Sequence, residues 1–95
     1  MYRVLLVEDD RQIRKVIGDY FARRDKIALD FAEDGNLGLS KILNEEYDLF
    51  LLDIMMPGLD GFELCRIIRK SGTCCLCLGI LDGLVIVATK LRFQC

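Results

Sequence analysis

The 95-residue chain has no histidine, no tryptophan and a single proline, Pro57. Without histidine there is no imidazole base, and any zinc site would have to be built from cysteine and carboxylate alone. There is no basic tract, and the net charge of −2 gives no electrostatic footprint for nucleic acid. No DNA-binding module follows, so no nucleic-acid partner is expected of this chain. Long apolar runs are also missing. Val4 to Val7 is too short for a signal-peptide core and is followed by acids, so a cytoplasmic location is expected. The apolar stretch near the C-terminus falls short of the ~20 residues a membrane span needs and contains Asp82. The odd number of cysteines, five, argues against a closed disulfide framework.

What is present is a globular composition, 53% hydrophobic and 29% charged, of a length suited to one domain. The charge is unevenly spread. Beyond Thr73 the only charged residues are Asp82, Lys90 and Arg92, while Cys74, Cys75, Cys77 and Cys95 all lie there. Thr73/Cys74 therefore divides two kinds of sequence: residues 1–73, and an apolar tail, 74–95.

The first part alternates. Tyr2 to Val7 is a continuous apolar run, as in a strand buried on both faces of a parallel sheet. Asp9 or Asp10 can cap a helix, in which Ile13, Val16, Ile17, Tyr20 and Phe21 recur on one face and Arg11, Arg14 and Lys15 take the wet side. Ile27 to Ala32 is a weaker strand. Asp34-Gly35 turns the chain into a second helical pattern over Leu37 to Leu43. Tyr47 to Leu52 is a third strand, ended by Asp53. A loop at Pro57-Gly58 and Asp60-Gly61 precedes a third helix, Phe62 to Arg69, with Leu64, Cys65 and Ile68 facing inward. Strand–helix alternation of this kind implies a parallel sheet with helices on its faces.

The tail breaks that rhythm. Cys74 to Leu78 and Leu84 to Ala88 both read as strands, separated by too few residues for a parallel crossover. A hairpin turned at Asp82-Gly83 is expected. A single helix from Leu76 to Ala88 is the other option, weakened by Gly79 and Gly83.

In a parallel α/β sheet, ligands bind beyond the C-terminal ends of the strands. Glu8, Asp9 and Asp10 stand at that end of the first strand and Asp53 at that end of the third. If the two ends are neighbours, three or four carboxylates converge without histidine or cysteine. Such a cluster needs a compensating cation, and an all-oxygen set with room for water suits Mg²⁺. One carboxylate could then act as a nucleophile toward phosphorus. Taken singly, acids at strand ends are ordinarily solvated loop residues; it is the matched pair of positions that points to a site.

Three segments carry a family resemblance. Val4-Leu5-Leu6-Val7-Glu8-Asp9-Asp10 resembles the first strand and acidic pair of bacterial two-component response-regulator receiver domains. Leu51-Leu52-Asp53-Ile54-Met55-Met56-Pro57-Gly58-Leu59-Asp60-Gly61 resembles the phosphoacceptor strand and loop of that family, and Ala32-Glu33-Asp34-Gly35 its second strand–helix junction. The resemblance covers residues 1–73. It implies a flavodoxin-like, CheY-like α/β three-layer sandwich with a central parallel sheet, incomplete at the C-terminus, in one receiver domain spanning 1–95. It also implies roles. Asp53 would be the phosphoacceptor, and the Mg²⁺ ligands would be Asp9, Asp53, Glu8 through water, and the Met55 backbone carbonyl. A sensor histidine kinase or a small phosphodonor would supply the phosphoryl group. Such a protein is a phosphoacceptor rather than an enzyme, with at most self-catalysed transfer and autodephosphorylation. Pro57 and Gly58 would shape the loop, and Gly38, where the family often has alanine, would let the second helix approach the sheet.

The tail departs from the family. The family's fourth strand ends in a threonine or serine that bonds the phosphoryl group, and Gly79-Ile80 follows here instead. The family's fifth strand is followed by Lys-Pro, whereas Lys90 precedes Leu91. The alternative reading is therefore a truncated or frameshifted receiver fragment that binds the cation without signalling. The Cys74 to Cys77 spacing is otherwise open to a thiol pair or half a zinc site, against the plainer reading of small buried apolar residues in a strand.

Overall fold

The computed structural model describes residues 1–56, 58–70, 75–81 and 84–89. Six elements alternate along the first part: β1 (Tyr2–Val7), α1 (Arg11–Ala22), β2 (Ile27–Ala32), α2 (Gly35–Asn44), β3 (Leu49–Asp53) and α3 (Gly61–Lys70). Two strands follow directly, β4 (Cys75–Leu81) and β5 (Leu84–Thr89).

The helix starts follow from local chemistry. The first turn of a helix leaves backbone N–H groups without intrahelical partners, and a short acidic side chain can satisfy them. Asp10 accepts from the N–H groups of Gln12 and Ile13, and Asp34 from that of Leu37 at 2.8 Å. At the head of α3 the Asp60 carboxylate accepts from the Glu63 N–H at 2.9 Å. Of the two acids that could cap α1, Asp10 takes that role, which leaves Asp9 for other use.

The sheet has the order β2-β1-β3-β5-β4. β1 runs parallel to both β2 and β3, pairing Val7 with Ala32 on one side and with Leu52 on the other. This is the doubly wound core expected from the alternation, with β1 at its centre and almost wholly buried from Val4 onward. β5 then pairs antiparallel with β3, and β4 antiparallel with β5. The tail is thus a hairpin rather than a helix, as its short connection requires. Its strands are longer than the sequence pattern indicates, leaving only Asp82 and Gly83 between them, two residues outside the described set. The sheet is parallel in its first three strands and antiparallel in the added pair.

Two apolar clusters lie on opposite faces of β1. Leu5, Val7 and Leu52 pack with Leu64, Cys65 and Ile68 of α3, together with Leu39 and Ile42 of α2. Gly38 is required here, because a Cβ on it would come within 2.8 Å of the Val7 side chain. On the other face Val4, Leu6 and Leu51 meet Ile17 and Phe21 of α1. The apolar stripe of α1 is only partly used. Ile17 and Phe21 pack inward, but Val16 is 68% exposed and Tyr20 57% exposed, and Ile13 is also exposed. A periodic stripe records which residues can face a core, and the breadth of the surface laid against it decides how many do.

Away from the site, β1, β2 and the α2–β3 connection are tied by polar contacts. The Tyr47 hydroxyl donates to Asp30 at 2.6 Å and the Lys41 ammonium pairs with the same carboxylate at 2.9 Å. Arg3 donates its backbone N–H to Asp48, pairs its guanidinium with Glu45 at 2.8 Å, and lies over the Tyr47 ring.

Candidate phosphoacceptor and cation site

Because Val7 and Leu52 are register partners, the residues after β1 and at the end of β3 emerge side by side at one edge of the sheet. Glu8, Asp9 and Asp53 converge there, each with a carboxylate oxygen within 4.8 Å of the others. Glu8 and Asp53 are buried, at 3% and 8% exposure, while Asp9 is exposed. Asp10, the other acid of the opening turn, caps α1 and is outside this group.

Each carboxylate is held by its surroundings. The Asp53 Oδ1 accepts from the Met55 N–H at 3.0 Å, which fixes the carboxylate at the strand end. Glu8 Oε2 accepts from the Asp10 N–H at 3.3 Å, and the Glu8 N–H donates to the Ala32 carbonyl, prolonging the β1–β2 ladder by one bond. Burial pushes the Glu8 carboxyl up to about 8, the hydrogen-bonded Asp53 carboxylate pushes it the same way, and the Asp10 N–H only partly opposes them. The Glu8 carboxyl thus holds its proton more tightly than an ordinary carboxyl, and positive charge placed among these side chains would oppose that. That is the behaviour of a carboxylate set complementary to positive charge.

Gly61, the first residue of α3, closes the floor. A Cβ on it would lie 2.6 Å from the Asp53 carbonyl oxygen. Gly58, with φ of +80°, gives the loop a backbone conformation that side chains disfavour. Pro57 falls outside the described residues. The Met55 side chain is exposed.

Two features were hidden from sequence reasoning. Arg14, placed on the wet side of α1 by its pattern, donates its Nη1 to the Glu8 carbonyl at 2.8 Å. The close approach of Gly61 to Asp53 likewise has only a faint signal, a glycine directly after the capping Asp60. In the described register of the tail, no hydroxyl-bearing residue is paired with Asp53. Leu84 is the residue paired with Asp53, and Thr89 lies at the far end of β5, opposite Cys75. Lys90 lies outside the described residues, as do Cys74 and Cys95. Among the described residues the metal-competent cluster is Glu8, Asp9 and Asp53, and no helix is long and apolar enough to cross a membrane.

A doubly wound sheet with paired acids at the ends of β1 and β3 is the architecture of receiver domains. Residues 4–81 match the response regulator receiver domain family, a span that includes β4. The chain belongs to that family. Over 69 residues it is 46% identical to the transcriptional regulatory protein ResD of Bacillus subtilis, covering 73% of this chain and 28% of ResD. Over 73 residues it is 37% identical to the response regulator ArlR of Staphylococcus epidermidis, covering 77% of this chain and 33% of ArlR. The chain thus spans a third or less of the length of these relatives. It also superposes on the receiver domain of the Francisella response regulator 1452 with a TM-score of 0.70 and 36% identity, covering 76% of this chain and 59% of that one.

Proposed function

We propose that the chain is a single receiver unit over residues 1–95 whose Asp53 accepts a phosphoryl group in two-component signalling, in a Mg²⁺-dependent reaction. The observation that carries this reading is the convergence of Glu8, Asp9 and Asp53 at matched ends of β1 and β3. An all-oxygen, partly solvent-open set of this size fits Mg²⁺. Asp9 and Asp53 would ligate it directly, Glu8 through water, and the Met55 carbonyl would complete the protein's share. When bound, the ion supplies positive charge that the phosphoryl oxygens and the carboxylates can share.

An oxygen of Asp53 forms the new bond to phosphorus as the bond to the donor breaks, and the electron pair leaves with the donor. The Met55 N–H holds the other side of that carboxylate. Positioning and electrostatics carry most of the catalysis in such transfers, so an oriented nucleophile on a rigid strand end is the main contribution of the chain. The donor is a sensor histidine kinase, with small acyl phosphates as substitutes. The family membership and the regulators it resembles support this assignment of class.

Incubation with acetyl phosphate and MgCl₂, followed by intact mass measurement, should show one phosphoryl adduct, absent in Asp53→Asn and absent without Mg²⁺. An adduct that survives Asp53→Asn would refute the assignment of the acceptor.

A further inference from the structure

On the β2 side of the acidic site, a cavity of about 450 Å³ opens between the start of α1 and the start of α2. Arg11, Arg14 and Lys15 line one wall, Phe31 and Leu37 form an apolar wall, and Glu33 stands among them. Arg11 and Lys15 make no ion pair with any acid among the described residues. No acidic residue occupies the first turn of α1 either, and Arg11 stands at the helix start. Cations there oppose the helix dipole, so this arrangement is not one that helix stability selects. Arg14 is already anchored, its Nη1 on the Glu8 carbonyl at 2.8 Å, and it therefore presents its guanidinium in a fixed orientation. Phe31 is 40% exposed on an edge strand, and Leu37 is 45% exposed beside it.

We infer that this cleft binds a small organic phosphate carrying a planar ring, of the nucleoside phosphate class. Two guanidinium groups and an ammonium match the oxygens of a phosphate chain, with arginine offering paired N–H donors. An exposed phenyl face flanked by leucine suits a flat ring, and the Glu33 carboxylate can accept from a sugar hydroxyl or ring amine. The volume lies within the usual range for small-ligand sites, about 300–1,000 Å³. This site is separate from the carboxylate cluster and its ligand would be held through anions, not through a metal.

The test is a titration with ATP in EDTA-containing buffer, which keeps divalent ions from the carboxylate cluster, followed by backbone amide NMR. The expected shifts fall on Arg11, Lys15, Phe31 and Leu37. The double variant Arg11→Gln/Lys15→Gln should bind about tenfold or more weakly while keeping its amide spectrum folded. Lys15→Gln alone, on an exposed position, should weaken binding by a smaller factor and guards against misfolding of the double variant. Adenosine and inorganic phosphate should each bind more weakly than ATP. No shifts at the cleft, unchanged affinity in both variants, or displacement of ATP by inorganic phosphate or poly-glutamate at equal concentration would each overturn the inference.

Discussion

Glu8 and Asp53 are neighbours because Val7 and Leu52, the residues just before them, are paired across parallel strands. Both are buried, and the Glu8 carboxyl is displaced upward by burial and by Asp53. A divalent cation placed among these carboxylates would counter the like charge that helps raise the Glu8 pKa. Added MgCl₂ should raise the midpoint of thermal unfolding, by the equivalent of about 2.7 kcal/mol at a hundred times the dissociation constant. Asp9→Ala should abolish the rise while leaving the fold intact, as read by circular dichroism. An equal rise in that variant would show that the cation binds elsewhere.

Gly61 and Gly18 make opposite predictions for one kind of change. A Cβ at Gly61 meets the Asp53 backbone at 2.6 Å, where nothing flexible can yield. Gly61→Ala should destabilise by roughly 1–3 kcal/mol. At Gly18, inside α1, the nearest atom is the outer edge of the exposed Phe31 ring at 3.1 Å, which can swing away. Gly18→Ala should stabilise by up to about 1 kcal/mol through helix propensity. Urea titration of both variants reads the two signs directly.

The Asp30 carboxylate supplies a pH dependence independent of the site. Burial acts to raise its pKa, but hydrogen bonds from the Tyr47 hydroxyl, the Lys41 ammonium and the Phe31 N–H outweigh it, and the pKa is lowered. A folded-state pKa below the unfolded one means stability that is present above the unfolded value of 3.8 and lost as pH falls through the folded one. Asp30→Asn should flatten this part of the acid-unfolding limb. An unchanged limb would mean that the Tyr47–Asp30 contact contributes nothing in solution. Tyr47→Phe, which removes the donor alone, should cost about 1 kcal/mol near neutral pH.

The two faces of the sheet should respond unequally to truncation. Leu64 of α3 is fully buried, so Leu64→Ala should cost about 2–5 kcal/mol. Val16 of α1 has the same apolar character and helical spacing but is 68% exposed, and Val16→Ser should fall within about 0.5 kcal/mol of the parent. Chemical denaturation measures both. A loss at Val16 comparable to that at Leu64 would show that the outer stripe of α1 is covered in solution.

Much of this fold can be read from local sequence. The buried run of β1, the alternation of strands and helices, the caps at Asp10 and Asp34, and the inward set Leu64, Cys65 and Ile68 all follow from periodicity and side-chain chemistry over a few residues. So does the hairpin of the tail, because a connection that short leaves antiparallel pairing as the available solution. The acidic positions at two strand ends are likewise plain in the sequence, as is the family they resemble.

Only the tertiary structure decided which acids meet and which apolar residues stay wet. Asp9 and Asp10 are chemically equivalent, and the path of the chain sends one to the cluster and the other to the α1 cap. Val16 and Ile17 are equally apolar, yet only the second packs against the sheet, and only in part. The role of Arg14 depends on a carbonyl six residues earlier, and that of Gly61 on a strand end eight residues back. Local sequence determines what each residue is able to do. Strand register and helix placement, which depend on contacts far apart in the chain, determine which of those abilities is used.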